Sequence, residues 1–304
     1  NRMHLISSQS DNIVTLRAFL FVESQDERNE ARYDRGNERE KEGITMAITE
    51  KVVLEAKSIR KAYGSRQNVN EVLKGIDVTV REGEFVGIMG PSGAGKTTLL
   101  NVLATIDRPT SGSIRIAGEE VSTMNDRQLS TFRRNELGFI FQDYNLLDTL
   151  TAKENILLPV SLSNIPKKEA ESKYQQVASA LGISAIGSQY PNQLSGGQKQ
   201  RTAAARALIT SPSMIFADEP TGALDSKSAS SLLETLERVN EDSGVTIMMV
   251  THDPLASSYC SRVVFLRDGE MYSELYRGEE TRQQFFQEIL KVQAMLGGET
   301  VDTL

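Results

Sequence analysis

The sequence is poor in the residues that disulfide-bonded, metal-cluster and membrane-spanning proteins need. Its 304 residues include one cysteine, two histidines and no tryptophan. A single cysteine, Cys260, excludes an internal disulfide and suits a reducing compartment such as the cytoplasm. No apolar run is long enough to span a bilayer, so membrane contact has to come through a partner. The net charge of −7 provides no basic surplus for a nucleic-acid partner.

The rest of the composition is that of a globular protein, with one exception at the start. Hydrophobic residues make up 39% of the chain and charged residues 25%, enough to build a sizeable core. Residues 1–45 differ, because positions 23–42 are mostly charged. Such a stretch buries too little apolar surface to offset the entropy of ordering it. We therefore expect a disordered leader or a solvated helix.

The end of this leader also permits a different start of translation. Lys41-Glu42-Gly43 can be encoded by a purine-rich sequence of the kind that bacterial ribosomes bind, and Met46 follows at a suitable gap. We hypothesise that translation starts at Met46 and that residues 1–45 are not native. Mass spectrometry of the protein expressed from its own gene tests this hypothesis. A peptide spanning residues 40–48 would contradict it.

The strongest functional pattern lies in residues 84–98. An apolar run, Phe85–Met89, predicts a strand, a glycine-rich turn follows, and an apolar helical pattern begins at Lys96. In this strand–loop–helix context the G-x-x-x-x-G-K-[ST] pattern indicates a phosphate loop, in which Lys96 meets the β- and γ-phosphates and the Thr97 hydroxyl binds magnesium. Glycines allow successive N–H groups to face one concavity, next to the positive end of the helix. The predicted nucleotide-binding residues here are Gly90, Pro91, Ser92, Gly93, Ala94, Gly95, Lys96, Thr97 and Thr98.

Three further apolar runs predict strands that end in polar residues. The first run ends at Gln142, the second at Asp218-Glu219 and the third at His252. Uninterrupted apolar runs are typical of parallel strands buried on both faces. Ligands bind beyond the carboxyl ends of such strands. We therefore expect the phosphate loop and these polar side chains to line one crevice.

Other segments predict the supporting structure. Val52–Ala56 and Ile76–Val80 read as strands, with Lys61–Gly64 between them. Residues 143–200 read as an inserted helical subdomain. Thr281–Leu296 reads as an amphipathic helix that begins with a capping box; its apolar stripe predicts core packing, with a subunit contact as the alternative.

Leu194–Gln198, the signature segment, is the second informative motif. Ser195 can cap the helix that follows while Gln198 reaches back in a capping box. Two glycines at a helix start also leave N–H groups open to an anion. Taken alone, the motif is equally consistent with a well-capped helix that binds nothing.

Together these motifs resemble the ATP-binding-cassette (ABC) ATPase family over residues 50 to about 275. The order is the phosphate loop, the signature segment, Phe216–Pro220, Gly222–Asp225 and Thr251–Asp253. Two longer segments, 141–148 and 218–229, resemble the ATPase subunits of Bce-type transporters. These are bacitracin and antimicrobial-peptide resistance systems of Gram-positive bacteria, related to the MacB and LolD ATPases.

The resemblance implies an α/β fold with a P-loop (RecA-like) core, an antiparallel β subdomain and an inserted helical subdomain. The ATPase domain would cover residues 46–280, with a C-terminal amphipathic helix and tail in 281–304. The resemblance also implies that Glu219 is the general base, that His252 binds the γ-phosphate, and that Gln142 senses magnesium and the attacking water. Magnesium would be held by Thr97, Gln142 and Asp218.

The remaining implications concern the nucleotide and the partners. Tyr63 would stack on adenine, and the cofactors would be ATP and Mg²⁺. In a head-to-tail homodimer, part of each ATP site would come from the second copy, through Ser195, Gly196, Gly197 and Gln198. Asp225 would also bind the nucleotide. The chain would lie peripherally at the cytoplasmic face of the cell membrane, bound to a permease and through it to a sensor histidine kinase.

Two other functions fit the same motifs. A MacB/LolD-like ATPase would serve efflux or lipoprotein release. A regulatory ATPase would signal through the permease to the kinase without moving cargo.

Overall fold

The computed structural model describes residues 51–65, 68–163 and 165–297, so the leader, Met46 and the tail after residue 297 lie outside it. The elements are β1 Val52–Ser65, β2 Asn68–Arg81, β3 Phe85–Met89, α1 Lys96–Leu103, β4 Ser111–Ile116, β5 Glu119–Glu120, α2 Asp126–Glu136, β6 Leu137–Ile140, α3 Ala152–Ser161, α4 Lys167–Ala180, α5 Gly196–Leu208, β7 Met214–Asp218, α6 Ser226–Ser243, β8 Ile247–Val250, α7 Pro254–Ser257, β9 Arg262–Arg267, β10 Glu270–Tyr276 and α8 Arg282–Leu296. Short 3₁₀ turns lie at Val121–Thr123, Ser184–Ile186 and Pro191–Gln193.

The larger sheet has six strands in the order β10-β9-β3-β8-β7-β6. Strands β9, β3, β8, β7 and β6 run parallel, and β10 pairs antiparallel with β9. Every residue of β3 and β8 is buried. Alternate side chains of β3 enter two different hydrophobic clusters, because successive residues of a strand point to opposite faces. Phe85 and Met89 join the cluster on one face, and Val86 and Ile88 join the cluster on the other.

The smaller, antiparallel sheet has the order β2-β1-β4-β5. Its two long strands extend well beyond the predicted ones, and they place Lys61–Gly64 inside β1. The predicted strands are therefore too short, and the residues between them belong largely to β1 and β2. In β2 no residue before Leu73 is buried, and the alternation of buried apolar residues begins at Ile76. The outer half of the hairpin is therefore held by backbone pairing.

The region between β6 and β7 contains α3, α4 and α5, which pack on one another, and α5 also packs on β6. Helix α5 begins directly after Ser195, and the predicted capping box is present: the Ser195 side chain accepts from the Gln198 N–H. Helix α8 likewise begins after Thr281 with its predicted capping box. Its Phe285, Ile289 and Leu296 are buried in the core, which confirms the core-packing interpretation of its stripe. Among the described residues, none of the helices combines the length and apolarity needed to cross a bilayer.

Candidate active site

Four adjacent strands deliver the predicted site residues to one edge of the large sheet. Along the order β3-β8-β7-β6, the strands are followed by the phosphate loop, His252, Asp218-Glu219 and Gln142. Because these strands are parallel, their carboxyl ends face the same side. The predicted crevice is therefore present.

Two glycines of the phosphate loop are required by its backbone. Gly95 precedes α1 with a φ of 98°, and no side chain caps this helix start. The first N–H groups of α1 are thus left for an anion. Gly90 has a φ of 155°, and a Cβ there would lie 2.3 Å from the carbonyl oxygen of Leu266. A side chain at either position would displace the loop.

Lys96 is enclosed by the loop that precedes it. Its side-chain nitrogen donates to the carbonyls of Gly90 at 2.8 Å and Pro91 at 3.0 Å. Burial lowers the pKa of Lys96, an effect opposed by the negative charges of Glu219 and Asp218. The ammonium group therefore already lies beside the loop, next to the two acids.

Asp218 ends β7 with one oxygen unsatisfied. Its Oδ1 is buried without a hydrogen-bond partner, and the Thr97 side chain lies near the same carboxylate. Burial raises the pKa of Asp218, the adjacent Glu219 raises it further, and Lys96 and Thr97 oppose this shift. An orphaned carboxylate oxygen beside a hydroxyl is the donor set that Mg²⁺ prefers. Within the described ranges no cluster of three or more His, Cys, Asp or Glu side chains could hold a metal ion.

Glu219 and His252 form a pair across the ends of β7 and β8. The His252 Nδ1 lies 2.9 Å from the Glu219 carboxylate. Glu219 has a positive φ of 43°, and its N–H donates to the carbonyl of Val250 at the end of β8. The left-handed backbone turns the chain sharply after the strand. The imidazole is largely exposed, whereas the carboxylate is mostly covered.

The loop after β6, residues Phe141–Asn145, contains Gln142 and is held by α5. A Cβ on Gly222 would come within 2.9 Å of the Gln142 side-chain nitrogen, so Gln142 packs against the turn that follows Glu219. Gln200 donates to the carbonyl of Phe141 at 3.2 Å. Arg206 donates to the carbonyls of Tyr144 and Asn145 at 2.9 and 2.5 Å. Sequence reasoning missed Gln200 and Arg206, because two polar residues in an alanine-rich helix give no distinctive spacing.

Tyr63 lies beside the start of α1, although it belongs to the other sheet. Its hydroxyl donates to Asp107 Oδ2 at 2.8 Å, and the Thr98 side chain lies near this hydroxyl. Burial, followed by the contact with Asp107, raises its pKa. Tyr63 as a whole remains 44% exposed, so a planar ligand can reach it. Lys61 and Asp107, which surround this ring, were also missed from the sequence.

The signature segment stands apart from the phosphate loop of the same chain. Helix α5 packs on β6, three strands away from β3, or about 14 Å at the usual strand spacing. Cβ atoms on Gly196 and Gly197 would meet Tyr144 and Ser228 respectively. Ser195 is exposed.

Asp225 is the cap of α6 rather than a free carboxylate. Its side chain accepts hydrogen bonds from the N–H groups of Lys227 and Ser228 and from the Ser228 hydroxyl. The hydrogen bonds from Ser228 lower the pKa of Asp225 most strongly. None of these hydrogen bonds joins Asp225 to the phosphate loop.

Comparison with known proteins identifies this arrangement. A protein-family model described as ABC transporter matches residues 73–222. The chain is 61% identical over 246 residues to the bacitracin export ATP-binding protein of Halalkalibacterium halodurans. The aligned region covers 81% of this chain and 97% of that protein. The chain belongs to the ABC transporter family. This ABC protein is also 43% identical over 222 residues to the lipoprotein-releasing system ATP-binding protein LolD of Geobacter metallireducens, covering 73% of this chain and 99% of that one.

A solved structure gives the same assignment for the fold. A dimeric ATP-binding cassette in a post-hydrolysis state, bound to ADP and phosphate, matches with a TM-score of 0.68 at 37% identity. The match covers 73% of this chain and 98% of that one. The predicted ABC ATPase fold is therefore confirmed, and this ABC protein is an ATP-binding ATPase. Members of its family form dimers and work with membrane permeases.

Proposed function

We propose that the chain is the ATP-hydrolysing subunit that powers a membrane permease in resistance to bacitracin and related antimicrobial peptides in a Gram-positive bacterium. The 61% identity to a bacitracin export ATP-binding protein, over 97% of its length, carries this proposal. The ATPase domain covers residues 46–280, with the helical subdomain in about 143–200 and a C-terminal helix and tail in 281–304.

The crevice accommodates ATP along the sheet edge. The residues from Gly90 to Thr98 enclose the phosphates, and the Lys96 ammonium exchanges its two loop carbonyls for phosphate oxygens. Tyr63 offers the exposed face of its ring to adenine. The support is that the Tyr63 hydroxyl lies near Thr98, within the first turn of the helix that begins at the phosphate loop.

Thr97 and Asp218 hold magnesium, with Gln142 reaching it from the neighbouring loop. The orphaned Asp218 Oδ1 beside the Thr97 hydroxyl supports this site. When bound, the ion neutralises charge that develops on the β- and γ-phosphates. Gln142 lies against the turn after Glu219, and from there its amide also meets the attacking water.

Glu219 is the general base of hydrolysis. It takes a proton from water as the water oxygen bonds to the γ-phosphorus and the bond to the ADP oxygen breaks. His252 orients this carboxylate through Nδ1. With a hydrogen on both ring nitrogens, Nδ1 donates to Glu219 and Nε2 donates to the γ-phosphate.

The second half of each site comes from another copy of the chain. The separation of the signature segment from the phosphate loop supports a head-to-tail homodimer, in which Ser195–Gln198 of one copy closes on ATP held by the other. The helix start at Gly196-Gly197 offers N–H groups to the γ-phosphate. Asp225, at the start of α6, contributes beside it.

A groove beside the Gln142 loop suits the permease. It has a volume of about 450 Å³, an apolar lining that includes Phe139 and Leu158, and arginines at Arg133, Arg134 and Arg206. A cytoplasmic helix of a permease with apolar and acidic side chains would complement it. The chain would thus lie at the cytoplasmic face of the membrane, and a sensor histidine kinase would reach it only through the permease.

Two alternatives share the ATP site. The match to LolD at 43% identity favours lipoprotein release or efflux as the second function. A regulatory ATPase that reports ligand to the kinase without transport is the third. They differ in the membrane partner.

Affinity purification from native membranes distinguishes these functions. Glu219→Gln is expected to bind ATP and form a stable dimer while hydrolysing it about 10²–10⁴-fold more slowly. With ATP present, this variant is expected to co-purify a many-span permease with a large extracellular domain. Glu279→Gln, at an exposed glutamate, is the matched control and should hydrolyse ATP normally. A few-span permease with a periplasmic-type domain would indicate the LolD-like function, and near-normal turnover by Glu219→Gln would refute the general base.

A further inference from the structure

Tyr63 belongs to a cluster of polar side chains that the proposed reaction does not use. The Lys61 ammonium lies 2.7 Å from Asp107 Oδ1 and 4.7 Å from the centre of the Tyr63 ring. Asp107 Oδ2 accepts the hydrogen bond of the Tyr63 hydroxyl. Lys61 also donates to the carbonyl of Arg108 at 2.8 Å. The cation covers one side of the ring, and the carboxylate fixes its far end.

Asp107 is itself fixed relative to the phosphate loop. Its N–H donates to the carbonyl of Asn101 in α1 at 3.0 Å, and its side chain accepts from the N–H of Arg108 at 2.7 Å. Helix α1 begins at the phosphate loop. The Tyr63 hydroxyl thus contacts Thr98 near the start of α1 and Asp107 beyond its end. Through these two contacts, α1 sets the distance between the ring and the phosphate loop.

Lys61 and Asp107 form an ion pair that is largely shielded from solvent. Only 9% of Lys61 is exposed, and it faces a partly covered carboxylate. A buried cation without a partner is costly, so Lys61 and Asp107 hold each other in place. An exposed tyrosine on a strand otherwise occupies several rotamers, and a ligand that stacks on it has to order the ring first. In this protein the ring is ordered before the ligand arrives.

We propose that Lys61 and Asp107 are positioning residues that hold the Tyr63 ring for stacking with the purine base of ATP. The inference rests on the proposed function, in which Tyr63 is the platform for adenine. Because Lys61 covers one face, the base stacks on the other. Both residues act only through Tyr63, so their loss weakens the contribution of the base to binding and leaves that of the phosphates unchanged.

The test compares two ligands that differ only in the base. ATP and ribose 5′-triphosphate, each with magnesium, are titrated calorimetrically into the full chain carrying Glu219→Gln to prevent turnover. Asp107→Ala and Lys61→Met are expected to weaken ATP binding about 2- to 12-fold, the cost of ordering one side chain, without changing ribose triphosphate binding. Asp107→Asn keeps the shape but has one acceptor oxygen where Asp107 uses two, so it should recover only part of the affinity. Lys57→Met is the matched control, since Lys57 is an exposed lysine of β1 that pairs with Glu55.

A double-mutant cycle tests whether Asp107 acts by positioning the Tyr63 ring or only by stabilising the contact between β1 and the residues after α1. Tyr63→Ala alone should weaken ATP about 5-fold or more relative to ribose triphosphate. Asp107→Ala added to Tyr63→Ala should then have no further effect. Equal losses for both ligands, or a loss that persists without Tyr63, would overturn the inference. An unchanged ligand ratio in Tyr63→Ala would overturn the proposed place of adenine, and the inference with it.

Discussion

Replacing Asp218 by asparagine is expected to stabilise the nucleotide-free protein while abolishing its ATPase activity. Asp218 Oδ1 is buried without a hydrogen-bond partner, and burial together with the charge of Glu219 raises the pKa of the carboxyl. An unsatisfied buried polar group costs about 1–3 kcal/mol, and more when charged. Asparagine keeps the shape and an acceptor for Thr97 but removes the charge. We therefore expect a gain of about 1 kcal/mol, or about 2–4 °C in Tm for a domain of this size.

The stabilisation depends on pH in a defined direction. A carboxyl with a raised folded-state pKa is protonated in both states at low pH and destabilises the fold as pH rises through that pKa. The advantage of Asp218→Asn should thus be present at pH 7 and shrink as pH falls towards about 4. Thermal unfolding followed by circular dichroism, without nucleotide or magnesium, measures it. Asp225→Ala should do the opposite and lower Tm, because hydrogen bonds led by Ser228 lower the pKa of Asp225. A lower Tm for Asp218→Asn than for wild type at pH 7 would refute this reasoning.

Substitutions at Gly90 and His252 and the reactivity of Cys260 provide three further tests. Gly90→Ala should lose ATP binding and unfold at lower temperature, since its Cβ would lie 2.3 Å from a carbonyl oxygen; normal calorimetric binding would contradict this. His252→Ala should slow single-turnover hydrolysis about 10²–10³-fold with ATP binding retained, and wild-type turnover would remove His252 from the mechanism. Cys260 is buried, and burial raises the pKa of its thiol. It should react with a thiol reagent only after unfolding in urea, so rapid reaction of the native protein is the contrary result.

The parts of the fold that sequence predicted are those specified by neighbouring residues. The phosphate-loop strand, turn and helix are continuous between Phe85 and Leu103, and each carries its own apolar or glycine pattern. The buried strands β7 and β8 were predictable as short apolar runs. The predicted capping boxes at Ser195 and Thr281 are confirmed. They could be predicted because a capping box involves only four consecutive residues.

The parts that sequence did not predict depend on pairing between distant segments. The end of β1, residues 62–64, has no buried side chain, so only its pairing with β2 makes it a strand. Lys61 meets Asp107 across 46 positions, and Arg206 reaches Tyr144 across 62. Neither contact leaves a periodic signal. The crevice could be inferred from strand ends, but the side chains that fix Tyr63 and the Gln142 loop could not.

Helix α5 is attached to the Gln142 loop at two points, through Gln200 and Arg206, so a movement of the helix would be transmitted to the loop. Helix α5 has 13 residues and is thus about 20 Å long. A tilt of about 10° about its C-terminal end would move its first turn by about 3 Å but Arg206 by less than about 1 Å. Gln200, between them, would pull Phe141 along by about 2 Å while Arg206 keeps Tyr144 and Asn145 nearly still. A tilt of α5 would therefore increase the separation between Phe141 and Tyr144, and so change the conformation of the loop that carries Gln142.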